Sequence, residues 1–284
     1  MILTDFDYVR PTGLDEALIL LGSTPGARVL AGGQSLLPAL RAGSATARLL
    51  VDVRRLEELR GIDGSRDGAL RIGAATTLAE LAGHPLVLDA APELAAAARA
   101  NGDPQVRNLG TVGGNLSAVG DGRATDLPVA AIAADARVEL AGPDGRHSLP
   151  AEEFAAAGPP RGFLVTALLV PAGGRAAAFE KTADRATRYP LCAAAVRITP
   201  DGPRIAVTGA TPRPLRLTEV EARLRATGPT TEYTYTTEAV LAAFRAEPRE
   251  LFVPGRGTSA EYLGHLAGVL TARALKRAQA LIRI

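Results

Sequence analysis

The 284-residue sequence predicts an α/β arrangement running into an α+β tail, so that the chain taken whole is an α+β protein. Three observations carry this. Short runs rich in Val and Leu alternate with helical segments through the first half. The stretch "VPAGGRA" (170–176) then interrupts everything periodic with a proline and two glycines. Beyond it come strand-like runs followed by three helical segments. At roughly 100–200 residues per domain the length suits two domains, and 47% hydrophobic residues are enough for a sizeable core.

"GLDEALILL" (13–21) reads as an amphipathic helix, with Thr12 as its N-cap and Gly22 closing it. "ARVLAG" and "RLLVDV" read as strands, and the strand-like "ALRIGAATT" delivers the chain to Thr77, a cap for "LAELAG". "PELAAAARA" (92–100) is a helix with proline in its first turn, where the missing N–H does no harm. "ARVELAGPDGRHSL" (136–149) is a hairpin by its Pro-Asp-Gly turn. After the break, "AAAFEK" and "LCAAAVRITPDGPRIAVTGA" read as strands, the latter a hairpin turning at Asp201-Gly202. The threonine-rich "ATGPTTEYTYTTEAV" (226–240) reads as a loop before a helix. The last helix starts at "TSAE" (258–261), a capping-box pattern of Thr258 and Glu261. Leu263, Leu266, Leu270, Ala274 and Ala278 recur along it at helical spacing and face a core.

Composition narrows the function classes. The net charge of +2 carries no basic block, which argues against nucleic acid as a partner. One cysteine, Cys192, rules out an internal disulfide and a cysteine-held cluster within this chain, and it reads as a small core residue. His84, His147 and His265 lie far apart with no ligand spacing, so no metal site is expected. No apolar run reaches the ~18 residues of a membrane span. The start, "MILTDFDYVRP", has no secretion pattern, so a cytoplasmic protein is expected.

The chemistry-bearing features are two glycine turns about eighty residues apart, "AGGQS" and "TVGGN". Glycine permits positive φ and brings N–H groups close to a ligand. Successive N–H groups in such turns form a concavity suited to anions. Each turn also carries a hydroxyl (Ser35, Thr111) and an amide (Gln34, Asn115). Two such nests together suit a diphosphate. Neither turn matches the G-x-G-x-x-G dinucleotide fingerprint or the phosphate loop ending in Gly-Lys-Ser/Thr, and there is no G-x-S-x-G elbow.

"FDYVRP", "VLAGGQSLLPAL", "DPQVRNLGTVGGNLSA" with the later "DLP", and "GTSAEYLGHLAGVLTARAL" occur in that order over nearly the whole chain. In this combination the sequence resembles the FAD-binding medium subunit of the molybdenum hydroxylases, the group of carbon monoxide dehydrogenase and xanthine dehydrogenase. The resemblance implies two α/β subdomains of the FAD-binding (PCMH-type) fold over residues 1–174, divided near residue 55. A C-terminal domain of a small sheet with helices would follow over 175–284. It implies that FAD is held by Ala31, Gly32, Gly33, Gln34 and Ser35 of the first turn and by Thr111, Val112, Gly113, Gly114 and Asn115 of the second. Asp126 of "DLP", Lys181 of "FEK" and the backbone of Val165 complete the implied set, with no catalytic side chain and no metal ligand.

In that family a large molybdenum-cofactor subunit oxidises the substrate. A small iron–sulfur subunit passes electrons to FAD, which delivers them to NAD, a quinone or dioxygen. Other readings of the same residues stay open. Asp126 also suits a cap for the helix at Leu127-Pro128, and Lys181 also suits a solvated strand position. Arg107 and Asn108 read as braces of the second turn. The segment between Asn115 and Asp126 lacks the His-x-Asp-Pro pattern common in the family. "AEYL" stands for Ala-Glu-Tyr-Arg, and no acidic residue follows Lys181 in "RATRYPLC". These departures bear on the electron partner. A free-standing FAD-dependent oxidoreductase acting directly on a small molecule is therefore the alternative, followed by a flavin- or nucleotide-binding module without redox activity.

Overall fold

A computed structural model describes residues 5–118, 124–174, 176–226, 235–255 and 257–282. The chain begins with β1 (Asp7–Val9), α1 (Leu14–Ser23), β2 (Ala27–Leu30), α2 (Leu36–Ala42) and β3 (Leu49–Asp52). The three strands form a parallel sheet in the order β1-β3-β2. β3 is buried at all four positions, as expected of the middle strand of a covered parallel sheet.

β4 (Ile62–Gly64) and β5 (Leu70–Gly73) come next. Five short helices follow: α3 (Leu78–Gly83), α4 (Pro85–Ala90), α5 (Pro92–Ala100), α6 (Pro104–Leu109) and α7 (Val112–Ser117). Then come α8 (Asp126–Ala133), β6 (Arg137–Gly142), β7 (Gly145–Pro150), α9 (Ala151–Ala157) and β8 (Leu164–Val170). The strands make an antiparallel sheet in the order β4-β5-β8-β6-β7.

Past the break lie β9 (Ala177–Ala183), β10 (Pro190–Thr199), β11 (Gly202–Thr208), β12 (Leu215–Arg216), α10 (Thr218–Ala226), α11 (Thr237–Arg245) and α12 (Ala260–Ile282). These four strands form a second antiparallel sheet, in the order β12-β11-β10-β9.

The alternation of β10 explains how this last sheet is covered on both faces. Cys192, Ala194, Val196 and Ile198 pack with α10, α11 and α12 residues such as Leu224, Phe244, Leu270 and Leu275. Ala193 and Ala195, of opposite parity, join a cluster with Leu94 and Ala97 of α5 and Leu127 and Ala131 of α8. Helix α8 is buried at every position, because it lies between layers and has no solvent face. The alanines of α5, α8 and β10 let the backbones approach closely. Residues on both sides of the 170–176 break thus share one core.

Most element expectations hold, including the Thr77–Glu80 capping box, but two helix ends differ. Helix α1 starts at Leu14, with Thr12 one residue outside its cap; the Thr12 amide and hydroxyl both donate to Glu16, at 2.7 and 2.8 Å. Gly22 lies inside that helix, which stops at Thr24-Pro25-Gly26, where Gly26 has φ +81°. At α12 the cap is Ser259, whose Oγ accepts from the Tyr262 amide at 3.1 Å. Thr258 is instead held in the preceding turn by its bridge with Gly255. Of the 226–240 segment, residues 227–234 lie outside the described residues.

Candidate cofactor-binding site

The first glycine turn, Ala31–Ser35, leaves the C-terminal end of β2. This is the edge of a parallel sheet where ligands characteristically bind. Gly33 has φ +71°, a left-handed conformation favouring glycine. Gly32 is needed for a different reason. A Cβ there would stand 2.7 Å from Gly110 Cα and closer still to the Leu109 carbonyl oxygen. Leu109 and Gly110 lead directly into Thr111, so the tertiary structure brings the two sequence-distant turns into backbone contact.

Their hydrogen bonding is not symmetric, and this corrects the expectation of two equivalent nests. In the second turn the Val112 amide donates to Thr76 O at 2.9 Å and the Gly113 amide to Ala74 O at 2.8 Å. The Gly114 amide donates to Thr111 Oγ1 at 3.2 Å and the Asn115 amide to Thr111 O at 2.9 Å. All four donors are occupied, the first two in fixing the turn to the segment that follows β5 and the other two within the turn itself, with Gly113 pressed against Ala74. In the first turn the amides of Gly32, Gly33, Gln34 and Ser35 have no acceptor among the described residues. The Ser35 hydroxyl caps nothing in α2, and the Gln34 side-chain amide donates to Gly32 O at 3.2 Å. Four free amides in one tight turn form the anion-receptive concavity. The second turn supplies a rigid wall, from which Gly114 faces solvent.

Asn115 reaches the other way. Its Oδ1 accepts from the Leu127 amide at 3.0 Å and so caps α8. Asp126 therefore does not cap that helix. Its carboxylate, 1% exposed, receives Lys181 Nζ at 2.8 and 2.9 Å and Asn101 Nδ2 at 2.7 Å. Lys181 also donates to Ala100 O at 3.1 Å and is 5% exposed, so it is no solvated strand residue. Burial raises the Asp126 carboxyl above the usual carboxylate range, and the Lys181 charge and hydrogen bond oppose that rise. Val165 is buried in β8 opposite Leu140. Arg107 Nη1 donates to the carbonyls of Asn101 and Gly102, both at 3.1 Å, and braces the loop before the second turn.

One group at this sheet edge escaped sequence reading. Asp52 ends β3, level with Leu30 just before the first turn. Its buried carboxylate accepts from Tyr8 Oη at 2.5 Å and from Arg54 Nε and Nη2 at 3.0 and 2.8 Å. Burial alone would raise its pKa; the Arg54 and Tyr8 hydrogen bonds outweigh burial and hold it at about 2. Arg54 lies within "VDVRR" itself, but the partner that ties Asp52 to β1, Tyr8, is 44 residues away.

Among the described residues no cluster of His, Cys, Asp or Glu could hold a metal ion, and no helix is long and apolar enough to cross a membrane. Cys192 is fully buried, with its thiol pushed up to about 12 by burial.

Comparison with known proteins agrees with this architecture. The family described as the FAD binding domain in molybdopterin dehydrogenase matches residues 4–173. The carbon monoxide dehydrogenase medium chain of Hydrogenophaga pseudoflava is 36% identical over 99% of both chains. The xanthine dehydrogenase FAD-binding subunit of Escherichia coli O157:H7 is 37% identical over 52% of this chain and 50% of that one. Among solved structures, carbon monoxide dehydrogenase from H. pseudoflava lacking the Mo-pyranopterin moiety of its cofactor superposes with a TM-score of 0.87. It is 34% identical and covers 99% of each chain. The chain therefore belongs to the family of FAD-binding domains of molybdopterin dehydrogenases and is an FAD-dependent oxidoreductase component.

Proposed function

We propose that this chain is the electron-relaying flavin subunit of a molybdenum hydroxylase, with the FAD diphosphate held at the first glycine turn. The observation that carries this reading is the row of four acceptor-less amides, Gly32 to Ser35, lodged against Leu109–Gly110. Amides fixed in this way bind phosphate oxygens without reorganising. Ala31 and the Ser35 hydroxyl complete that side. Thr111, Val112, Gly113, Gly114 and Asn115 form the opposing wall, its position fixed by the bonds to Thr76 and Ala74. Asp126 and Lys181 form the buried seam by which β9 closes on α8, and the backbone of Val165 lies on the strand leading to that seam. In this reading the chain divides at the 174/175 break into an FAD-binding part and a C-terminal part that closes over it.

When bound, FAD supplies the redox chemistry, accepting electrons from a large molybdenum-cofactor subunit through a small iron–sulfur subunit and passing them to an external acceptor. This chain's residues bind and orient the cofactor, and none of them is required as a general acid or base. The partners are supported by the relatives' names as medium chain and FAD-binding subunit. The test is rapid-mixing spectroscopy on the complex purified from its source. Flavin bleaching that follows iron–sulfur reduction, and is lost when the iron–sulfur subunit is removed, is expected. Full turnover of a small-molecule substrate by the isolated chain would replace this reading with that of a free-standing flavoenzyme.

A further inference from the structure

We propose that the closed end of the β10–β11 hairpin is a second binding site, apart from the glycine turns, for a small oxyanion of the phosphate class. The strand register places Arg197 of β10 directly opposite Arg204 of β11, and Arg216 of β12 opposite Ala206, two residues along. By parity, three arginines occupy one face across three adjacent strands. Like charges directly opposite each other destabilise a sheet unless they are compensated. Arg197 is held by Glu93 of α5, with Nε to Oε1 at 2.8 Å. Arg204 is held by Asp135 at 2.6 Å, and Arg216 by Glu221 at 2.7 Å. A fourth, Arg225 of α10, reaches only to 3.8 Å from Glu221, whose oxygens already accept from Arg216 and the Ile205 amide.

These four arginines line a half-open cavity of about 280 Å³, together with Pro171–Gly173 and the hairpin-turn residues Asp201 and Gly202. That volume is near the lower end of small-molecule sites. Two buried carboxylates, Glu93 and Glu221, stand behind the four arginines; Asp135 and Asp201 are at the exposed rim.

Among the described residues two buried donors have no acceptor: Nη1 of Arg197, a residue only 2% exposed, and Nε of Arg204. A buried donor left unpaired is costly, more so when charged, and a bound acceptor removes that cost. The backbone is shaped around the guanidiniums. A Cβ on Gly173 would coincide with Arg197 Nη1, and one on Gly202 would stand 2.7 Å from Arg225 Cγ. An oxyanion presenting several acceptors matches forked guanidinium donors better than a single water does. Burial and the neighbouring Arg216 lower the Arg204 pKa, against the opposing pull of Asp135, Glu221 and Glu152.

The test is calorimetric titration of the full FAD-loaded chain with inorganic phosphate, and separately with glycerol phosphate, at ionic strength held constant with sodium chloride. Saturable binding is expected, weakened about tenfold by Arg225→Gln or Arg204→Gln, the loss of one charge-assisted hydrogen bond. Flavin content should be unchanged. Arg225→Lys, keeping the charge on an exposed stem, should fall between wild type and Arg225→Gln. Binding of the ester alone assigns the site to an esterified phosphate, and binding of both assigns it to the free ion as well. Heats no larger than those of sodium chloride, or affinity unchanged in both glutamine variants, would overturn the proposal.

Discussion

Gly32→Ala isolates the close approach of the two turns from backbone conformation. Gly32 does not have a positive φ, so alanine fits its backbone, and any effect is steric. The new Cβ stands 2.7 Å from Gly110 Cα, whereas carbon atoms pack at ~3.5–4.0 Å. The turns must therefore separate by about 1 Å, against fixed backbone rather than a yielding side-chain tip. Overpacking of this kind costs roughly 1–3 kcal/mol of folding stability, which a chain of this size can absorb. The greater effect falls on the cofactor. Misaligning two of the four amides forfeits two charge-assisted hydrogen bonds at ~1.5–3 kcal/mol each, a loss of about 10²- to 10⁴-fold in affinity. The assay is quenching of flavin fluorescence on titrating apo-protein, with far-ultraviolet circular dichroism to establish that the variant is folded. A folded variant binding FAD within about threefold of wild type would show that the contact at Gly32 does not shape the diphosphate site.

Three further outcomes are expected. Asp52 has its pKa lowered from 3.8 to about 2, so its stabilising effect is fully present above the unfolded value and is lost as pH falls from about 4 through 2. Asp52→Asn should flatten acid unfolding in that window, and coincident acid curves for the two proteins would contradict the assignment. Arg197→Met strands the Glu93 carboxylate in the core and should destabilise by ~3–5 kcal/mol in urea melts, with Arg197→Met/Glu93→Leu recovering most of it; a double variant as unstable as the single would show that the pair is not the cause. Lys181→Ala leaves Asp126 buried without its cation and should weaken FAD retention or shift the flavin potential. Identical affinity and potential would remove both residues from the cofactor site.

Local patterns in the sequence determined most of the elements, because caps, turns and hydrophobic periodicity act over a few residues. Thr77–Glu80, Pro92 at the start of α5 and the Pro-Asp-Gly hairpin are of this kind. Glycine pairs likewise marked both turns, since a turn's chemistry is written in its own residues. The tertiary structure alone decided which amides remain free. Val112 and Gly113 find acceptors at Thr76 and Ala74, nearly forty residues upstream, while Gly32–Ser35 find none among the described residues. It also joined Asp126 to Lys181 and Asp52 to Tyr8, across 55 and 44 residues. A buried charge takes whichever partner the packing of distant elements brings within about 3 Å, and no short-range pattern encodes that choice.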